Sequence, residues 1–304
     1  MDIRVLKYFL AVAREQSYSI AAERLHLSQP TLSRQLKELE EELGKTLLIR
    51  SNKGVTLTEE GMILRKRAEE IVELLDKTEQ EVKQSSNTVS GKVYIGAGET
   101  YAIKLIADTA RKLQKDHPQI SFGIYSADGA DVMDKLDKGL IDFGLVFQSY
   151  DTTKYESIEI PLKDKFGALM RRDSELAKKT ELHLSDLKDK PLIVPRQENH
   201  SHLLADLLGV EKENLNITAE YNLVYNGSVM AGEGMGYCIC LDKLINVTGE
   251  SNMCFKPIIP EIEVGCNFVW KKYTVFTKAA GLFLSQFKRD VERLYPAPGE
   301  GETN

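Results

Sequence analysis

Apolar residues recur at steps of three and four between Ile3 and Leu43, the spacing expected of helices that each bury one face. The first helix spans about a dozen residues, and its apolar positions are Ile3, Leu6, Phe9, Leu10 and Ala13. A second, shorter helix begins after Ser17, whose hydroxyl can cap it. Its inward positions are Ile20, Ala21, Ala22 and Leu25. The chain therefore starts with two short amphipathic helices.

A third helix opens at Ser28-Gln29-Pro30-Thr31 and runs to about Leu43, after a tight connection at His26-Leu27-Ser28. Ser28 suits the N-cap, and Pro30 is tolerated because amides of the first turn have no intrahelical partner. The buried stripe of this helix is predicted to consist of Leu32, Leu36, Leu39 and Leu43. Two short helices, a tight turn and a third helix follow one another as in a helix-turn-helix.

The opposite face of the third helix offers an amide, a hydroxyl and two cations, and no carboxylate. These residues are Gln29, Ser33, Arg34 and Lys37. Such a face suits the major groove of DNA, where Gln29 can pair with a base edge. The residues expected to reach phosphates are Thr31, Ser33, Arg34 and Lys37. The alternative is a small helical bundle whose polar face simply meets water.

A hairpin is predicted after the third helix. Two apolar runs, Leu47–Arg50 and Val55–Leu57, flank Ser51-Asn52-Lys53-Gly54, which has the composition of a turn. A hairpin in this place would be the wing of a winged helix-turn-helix, with Arg50 and Lys53 near the DNA backbone or minor groove. A wing whose cations meet only solvent is the alternative.

A long helix is predicted after Thr58, which can cap it. Its apolar positions follow the a/d spacing of a coiled coil and are Leu64, Ala68, Ile71, Leu75, Thr78 and Val82. A stripe of this length favours a homodimer, which would present two DNA-reading helices to two half-sites. Packing against its own chain is the alternative. The polar segment Ser85–Thr88 is predicted to be the hinge to the next domain.

The rest of the chain alternates strand-like and helix-like runs, which predicts two α/β subdomains with a mainly parallel sheet. The predicted strands are Lys92–Gly96, Ile120–Tyr125, Asp142–Phe147, Gly167–Met170, Leu192–Val194, Ile217–Tyr221 and Tyr237–Leu241. The predicted helices are about Thr100–Asp116, Asp131–Gly139 and His202–Leu208. Ligands of such sheets bind beyond the carboxyl ends of the strands. The loops there are Gly98–Tyr101, Ser126–Gly129, Phe147–Gln148 and Pro195–Gln197.

Catalytic motifs are missing from these loops. The chain has no P-loop, no GxGxxG after a strand, no GxSxG elbow and no HExxH, so we expect no enzyme activity and no cofactor. His200 and His202 are interpreted as a surface pair, with a metal site as the weaker alternative. Four cysteines are interpreted as free thiols that mostly fill apolar strands: Cys238, Cys240, Cys254 and Cys266.

The net charge of −6 gains meaning when it is divided along the chain. Residues 1–57 carry 9 Lys/Arg against 7 Asp/Glu, whereas the remainder carries 31 against 39. A weakly basic N-terminal region on an acidic chain argues against nonspecific coating of DNA. No window has the ~18 uninterrupted apolar residues of a membrane helix, and the start lacks the apolar core of a signal peptide. We therefore expect a cytoplasmic protein with no membrane partner.

The chain resembles the LysR-type family of bacterial transcription regulators over nearly its whole length. The segment Ser17–Gln35 matches the family's helix-turn-helix signature almost throughout, and Leu57–Gly61 matches its junction between wing and linker. Two further segments, Leu136–Leu145 and Ala231–Gly236, are similar to weaker motifs of the effector domain. Asp242 stands where a proline is usual, and the cysteine pair of the peroxide-sensing members has no counterpart near residues 196–210. A thiol switch is therefore not expected.

The resemblance implies an α/β fold class with an N-terminal winged helix-turn-helix at residues 1–58 and a linker helix for dimerisation at 59–90. Residues 91–304 would form the effector-binding regulatory domain, with two α/β subdomains resembling a periplasmic-binding-protein fold. One subdomain would comprise about residues 91–161 plus 267–295, and the other about residues 162–266. Because tetramers are common in the family, a homotetramer is expected.

The resemblance also implies roles for individual residues. Base-reading positions correspond to Gln29, Pro30 and Ser33, and phosphate-contacting positions to Ser28, Thr31, Arg34, Lys37 and Arg50. The effector site corresponds to Thr100, Ser126, Gln148, Arg196, Gln197 and Tyr225. Arg196 and the amides at helix ends favour an anionic metabolite as the effector.

The main hypothesis is a regulator that binds double-stranded DNA at a promoter or operator and responds to a small molecule. A cytoplasmic solute-binding module whose N-terminal helices only oligomerise is the competing hypothesis. An α/β enzyme with a DNA-binding head is a third, disfavoured by the missing motifs.

Overall fold

The computed structural model describes residues 1–52, 54–82, 89–147, 150–196 and 215–294. Several sequence predictions lie outside the described residues. They concern Lys53, Gln148, Gln197, the histidine pair His200 and His202, the helix at His202–Leu208 and the hinge at Ser85–Thr88. The chain divides into two compact units, Met1–Gln84 and Ser85–Asn304, and each unit is described by itself.

The N-terminal unit consists of three helices, a hairpin and a long helix. Their bounds are α1 Ile3–Glu15, α2 Tyr18–Arg24, α3 Gln29–Leu43, β1 Leu48–Ser51, β2 Gly54–Leu57 and α4 Glu59–Val82. The hydroxyl of Ser17 accepts the amide of Ile20 at 3.4 Å, which caps α2 as predicted. Strands β1 and β2 pair antiparallel, so the predicted wing is present. The winged helix-turn-helix fold expected from the sequence is thus confirmed.

The core of the N-terminal unit lies between α1, α2 and α3 and includes Phe9, Val12 and Leu36. Two residues predicted to be buried are exposed: Ile20 by 48% and Leu43 by 41%. In the seven-residue α2 the inward positions are Tyr18, Ala21 and Ala22, and Ile20 falls on the other side. Leu43 is the last residue of α3, where the chain turns away at a left-handed Gly44.

Helix α4 buries only part of the seam that the sequence predicted. Ala68 is fully buried and Leu64 packs against the core of the unit, and Lys7 of α1 pairs with Asp76 of α4 at 3.1 Å. Ile71 and Val82, from the same predicted seam, are exposed. Leu64, Ala68, Ile71 and Val82 lie within about 60° of one another around the helix axis. Burial therefore changes along the length of α4: its first turns pack against the core of the unit, and the seam farther along the helix is exposed.

The described part of the C-terminal unit is built around a ten-stranded sheet. Its strands are β3 Gly91–Ala97, β4 Ile120–Ser126, β5 Phe143–Val146, β6 Tyr155–Arg171, β7 Leu182–His183, β8 Leu192–Pro195, β9 Ile217–Tyr221, β10 Tyr237–Leu241, β11 Met253–Ile259 and β12 Glu263–Lys271. Its described α-helices are α5 Ile103–Asp116, α6 Gly129–Asp137, α7 Val224–Gly232 and α8 Lys278–Leu294. The main path of the sheet runs β4-β3-β5-β12-β6-β10-β8-β9.

The strand directions correct the prediction of a mainly parallel sheet. Two parallel blocks, β4-β3-β5 and β10-β8-β9, form the two subdomains as expected. Between them lie β6 and β12, which pair antiparallel with each other, and β12 is also antiparallel to β5 as β6 is to β10. The sequence pattern identified only Gly167–Met170 of the 17-residue β6. Two antiparallel strands therefore join the subdomains.

Each subdomain has its own core. Phe143, Phe268 and Phe283 pack as an aromatic cluster in the first, and Ile239 and Leu192 belong to the core of the second. Helix α8 returns to the first subdomain, where the carboxylate of Asp290 accepts hydrogen bonds of 2.8 Å each from Thr109 and Lys112 of α5.

Candidate nucleic-acid interface and ligand cleft

The start of α3 is fixed by its own side chains. The hydroxyl of Ser28 accepts the amide of Thr31 at 3.3 Å and lies 2.7 Å from the Thr31 hydroxyl. Pro30 occupies the first turn, which carries no acidic residue. The first turn of α3 therefore carries no negative side chain that would offset the partial positive charge of the helix macrodipole.

The two cations on the outer face of α3 are exposed and loosely paired. Arg34 lies 3.7 Å from Glu38, and Lys37 lies 3.4 Å from Glu41, in both cases one turn farther along the helix. Exposed pairs of this kind contribute at most about 1 kcal/mol. Both cations can therefore leave their carboxylates for a phosphate at little cost in free energy.

Arg50 of the wing is held against the helix-turn-helix. Its guanidinium lies 3.9 Å from the ring centroid of Tyr18 and donates a hydrogen bond of 2.6 Å to the hydroxyl of Ser33. Stacking and a directed hydrogen bond use the planar fork of arginine, which lysine lacks. Arg50 thereby brings the wing and α3 together at the outer edge of the unit.

Glu40 has a structural role that the sequence did not reveal. Its side-chain Oε1 accepts the amides of Leu47 at 2.7 Å and Leu48 at 3.0 Å. Glu40 belongs to a run of acidic residues, Glu38, Glu40, Glu41 and Glu42, and nothing in the spacing distinguishes it from its neighbours. The carboxylate fixes where the wing begins relative to α3.

The junction between the wing and α4 is closely packed. Thr58 donates its hydroxyl to the carbonyl of Thr46 at 2.8 Å and accepts the amide of Gly61 at 2.9 Å. A Cβ added at Gly61 would lie 2.2 Å from the carbonyl oxygen of Leu47, so a larger residue requires the backbone to move. The segment Leu57–Gly61, which resembles the family's motif, thus contains a site where two backbones approach closely.

Four of the six residues predicted to bind the effector are described, and the structure gives them different environments. Thr100 is buried and donates its hydroxyl to Asp164. Ser126 is the exposed last residue of β4. Arg196 pairs with Asp128 at 3.3 Å, and Tyr225 is 68% exposed on α7. These side chains do not line the small cavity between the subdomains.

That cavity, the ligand cleft, has a volume of about 50 Å³. It lies where the loops after β3, β5 and β8 meet α7, as the rule for open sheets predicts. Its lining includes Glu99, Phe147, Phe166, Tyr221, Val224 and Leu241. The loops that carry Glu99 and Phe147 were predicted from the sequence, but the residues predicted to bind the effector there were Thr100 and Gln148.

Two carboxylates near the cleft are shielded from water. Burial raises the pKa of Glu99, although the amide of Val224 donates to its Oε2 and acts in the opposite direction. Burial also raises the pKa of Asp164, which accepts the Thr100 hydroxyl. The hydroxyl of Tyr221 donates to the carbonyl of Ile239 at 2.7 Å. Glu99, Asp164 and the Tyr221 hydroxyl thus each have a hydrogen-bond partner within the protein.

The cysteines behave as filler. Cys238, Cys240 and Cys266 are buried, and Cys254 is partly buried. The pKa of Cys240 is raised by the adjacent Cys238 and by burial, and burial raises the pKa of Cys266 to about 12. Thiols of this kind are poor nucleophiles at neutral pH.

A larger groove, of about 830 Å³, lies on the second subdomain beside β6, β10 and β11. Its rim carries two ion pairs, Lys165 with Glu261 at 2.7 Å and Lys243 with Asp242 at 2.8 Å. These charges already compensate one another. In the described part of the chain, no cluster of three His, Cys, Asp or Glu residues suits a metal ion, and no helix has the length and apolar character needed to cross a membrane.

Comparison with known proteins gives two family matches that together cover most of the chain. Residues 3–62 match "Bacterial regulatory helix-turn-helix protein, lysR family", and residues 86–292 match "LysR substrate binding domain". The second match alone covers more than half of the chain.

Individual relatives agree with these matches. The chain is 29% identical to the HTH-type transcriptional regulator YfeR of Shigella flexneri over 280 residues, which covers 92% of this chain and 91% of that protein. It is 35% identical to BsdA of Bacillus subtilis over 162 residues, 52% of this chain and 56% of BsdA. The structure of CbnR, a LysR family transcriptional regulator, superposes with a TM-score of 0.77 at 21% identity, covering 96% of this chain and 99% of CbnR. Full-length CbnR has also been solved with its target DNA, at a TM-score of 0.74, 20% identity and coverage of 95% and 100%.

Proposed function

Because the chain belongs to the LysR family of bacterial transcription regulators, we propose that it recognises a dyad-symmetric operator and changes its hold on that DNA when a small effector enters the ligand cleft. The observation that carries the proposal is the outer face of α3. From Gln29 to Lys37 this helix has no Asp or Glu, while its N-terminus carries the partial positive charge of the macrodipole. Such a face can enter a polyanionic groove.

Within this proposal, residues of α3 divide by the part of DNA they meet. Gln29, Pro30 and Ser33 face base edges, since the first turns of a recognition helix enter the major groove. The residues that contact phosphates and fix the docking register are Ser28, Thr31, Arg34, Lys37, Arg50 and Lys53. The geometry of Arg50 and Ser33 supports this division, because their hydrogen bond brings a wing cation beside a base-reading position.

The second element of the proposal is a homodimer through α4. Ile71, Leu74 and Val82 are exposed along one side of that helix. At 100° per residue, they lie within 80° of one another around the helix axis. An apolar stripe of this width is suited to a second copy of the chain, and the dimer would bind two half-sites. Pairing of two dimers into a tetramer, and residence in the bacterial cytoplasm with the DNA, complete the proposal.

The test is equilibrium binding to the region upstream of the protein's own gene. Fluorescence anisotropy should show binding to that duplex at least 1,000-fold tighter than to random duplex, about 4 kcal/mol, with affinity that falls as salt rises. Equal affinity for both duplexes would contradict the proposal and favour a solute-binding module whose N-terminal helices only oligomerise. Enzyme activity is outside the proposal.

A further inference from the structure

The two walls of the ligand cleft are joined by a hydrogen bond. Glu99 follows β3 in the first subdomain, and its carboxylate accepts the amide of Val224, the first residue of α7 in the second subdomain. Leu223, at the N-cap of α7, makes no side-chain capping bond. Glu99 therefore caps α7 from the opposite wall, 125 positions earlier in the chain.

The place that Glu99 occupies is one that an anionic ligand would need. The N-terminus of a helix combines unpaired amides with a partial positive charge, and carboxylates and phosphates bind there. In this protein the chain's own carboxylate already holds that position on α7. A ligand anion would have to displace Glu99 and leave a second negative charge beside itself.

Arg196, the other feature that favoured an anion, is also engaged. It lies 3.3 Å from a carboxylate oxygen of Asp128, whose other oxygen accepts the amide of Asp131 at 3.0 Å and caps α6. The side chain of Asp128 is only 15% exposed, so its charge is held in place. Both features that suggested an anionic effector are thus matched by internal carboxylates.

We propose, on the basis of the function proposed above, that Glu99 is a specificity-determining residue. It takes the place of a ligand carboxylate at α7, and the cleft in consequence selects an effector that carries an ammonium group on an apolar body. Phe147, Phe166 and Tyr221 supply the apolar and aromatic wall for that body.

Opening of the cleft explains why a cation is selected. A volume of about 50 Å³ exceeds the ~30 Å³ share of one liquid water by less than a factor of two, so an organic ligand enters only when the walls separate. Separation breaks the bond between Glu99 and Val224 and leaves a carboxylate against apolar walls. An ammonium group pairs with that carboxylate, and aromatic faces attract the same charge.

The first experiment tests the position by chemical rescue in the full-length protein. Glu99→Ala should lower the melting temperature, and acetate should restore half or more of the loss with saturable dependence, because it refills the site at α7. Chloride at equal ionic strength should not. Wild type and Glu181→Ala, which removes an exposed glutamate far along the chain, should respond equally to both salts. Equal effects of acetate and chloride on Glu99→Ala would overturn the assignment.

The second experiment tests the charge of the ligand with benzylamine and benzoate as matched probes. Benzylamine should raise the melting temperature of the wild type, and benzoate should not. In Glu99→Gln, which keeps an acceptor for the Val224 amide, the apparent affinity for benzylamine should fall at least tenfold and benzoate should gain. Stabilisation of the wild type by benzoate would overturn the inference, and so would the absence of any shift with either probe.

Failure of this inference is distinguishable from failure of the proposed function. Operator binding by the wild-type protein is measured on the same preparation. If the protein shows no preference for its upstream duplex, the regulator proposal fails. The charge preference of the cleft is then still decided by the shifts in melting temperature with benzylamine and benzoate.

Discussion

At the residue scale, each face of α3 has a different partner. Leu32, Leu36 and Leu39 are in the core. On the outer face, Arg34 and Lys37 are paired within the helix and Ser33 is bonded to Arg50 of the wing. These ion pairs are exposed and weak, so Arg34 and Lys37 remain available to bind phosphate. The face is thus ordered before DNA arrives, which reduces the side-chain entropy lost on binding.

Gln29→Ala should relax discrimination at one base pair of the operator. An amide that pairs with a base edge is worth about 1 to 3 kcal/mol of discrimination, or about 5- to 150-fold in the affinity ratio at that position. The measurement is competition binding with operators substituted one position at a time. An unchanged preference at every position would remove Gln29 from base readout.

Arg34→Ala should weaken binding to all sequences alike. Loss of one phosphate contact should reduce the slope of log affinity against log salt by about one unit while leaving the base preferences unchanged. Arg111→Ala is the matched control, since Arg111 is an exposed arginine of α5 paired with Asp108 at 3.8 Å. The assignment of Arg34 fails if its variant and the control have the same salt slope.

At the element scale, α4 performs two packing functions with one helix. Near its start, Leu64 and Ala68 cover the core of its own unit, and farther along the helix Ile71, Leu74 and Val82 are left in solvent. Exposed apolar side chains aligned on one helix face are a common sign of a protein interface. Helix α4 therefore packs against the winged helix-turn-helix and also exposes an apolar surface suited to a second copy of the chain.

Ile71→Glu should dissociate the dimer proposed above. An unpaired carboxylate in an apolar interface costs about 3 kcal/mol or more, which raises the dimer dissociation constant by about 100-fold. Sedimentation velocity over a range of concentrations measures this change. Met62→Glu is the matched control, because Met62 is exposed on the same helix and lies about 180° around the axis from Ile71. If both variants dimerise like the wild type, α4 is not the interface.

The elements differ in how far the sequence could predict them. The caps at Ser17 and Ser28 and the wing turn are local signals, and the structure has them where they were expected. Strand β6 was mostly missed because it pairs with β12 in one subdomain and with β10 and β11 in the other, so its burial pattern changes along its length. A strand whose burial pattern changes along its length does not show the regular alternation by which strands are predicted from sequence.

The candidate ligand site was predictable only as a set of loops. The rule that ligands bind beyond parallel strands selected the loops of Glu99 and Phe147, and both residues line the cleft. Which side chain of a loop faces inward depends on partners distant in sequence, as with Glu99 and Val224. The residues that line the cleft therefore had to be found in three dimensions.

At the scale of the whole molecule, the C-terminal unit consists of two subdomains joined by β6 and β12. Their register shifts between Gly265 and Cys266, so the joint contains an irregularity where neighbouring strands bend readily. Asp164 lies beside this irregularity, paired with Val264 across the strands, and its side chain is buried. A buried carboxylate, whose charge depends on pH, therefore lies on the strands that join the two subdomains.

Asp164→Asn should change how stability depends on pH. Burial raises the pKa of Asp164 above its ordinary 3.8, so the folded protein binds this proton more tightly than the unfolded chain. The free energy of unfolding that this group contributes is fully present below pH 3.8 and falls as pH rises through the raised pKa. The difference between wild type and Asp164→Asn in urea unfolding should therefore decrease with rising pH.

Asp173→Asn provides the opposite case for that experiment. A hydrogen bond from Arg171 lowers the pKa of Asp173, so its contribution is present above the ordinary 3.8 and is lost only as pH falls below it. Between about pH 5 and 8 the control difference should stay constant. The raised pKa of Asp164 would be contradicted if its difference did not fall as pH rises from below 3.8, the range in which the Asp173 difference should rise.

The close approach of Gly61 to Leu47 has a mechanical consequence for the N-terminal unit. With Thr58 bonded to Thr46 and no room for even a methyl group at Gly61, the joint between wing and α4 has no flexible elbow. We therefore expect that a torque applied along α4 turns the wing and α3 together with it. Regulation through α4 would then change the orientation of the winged helix-turn-helix without changing its internal structure.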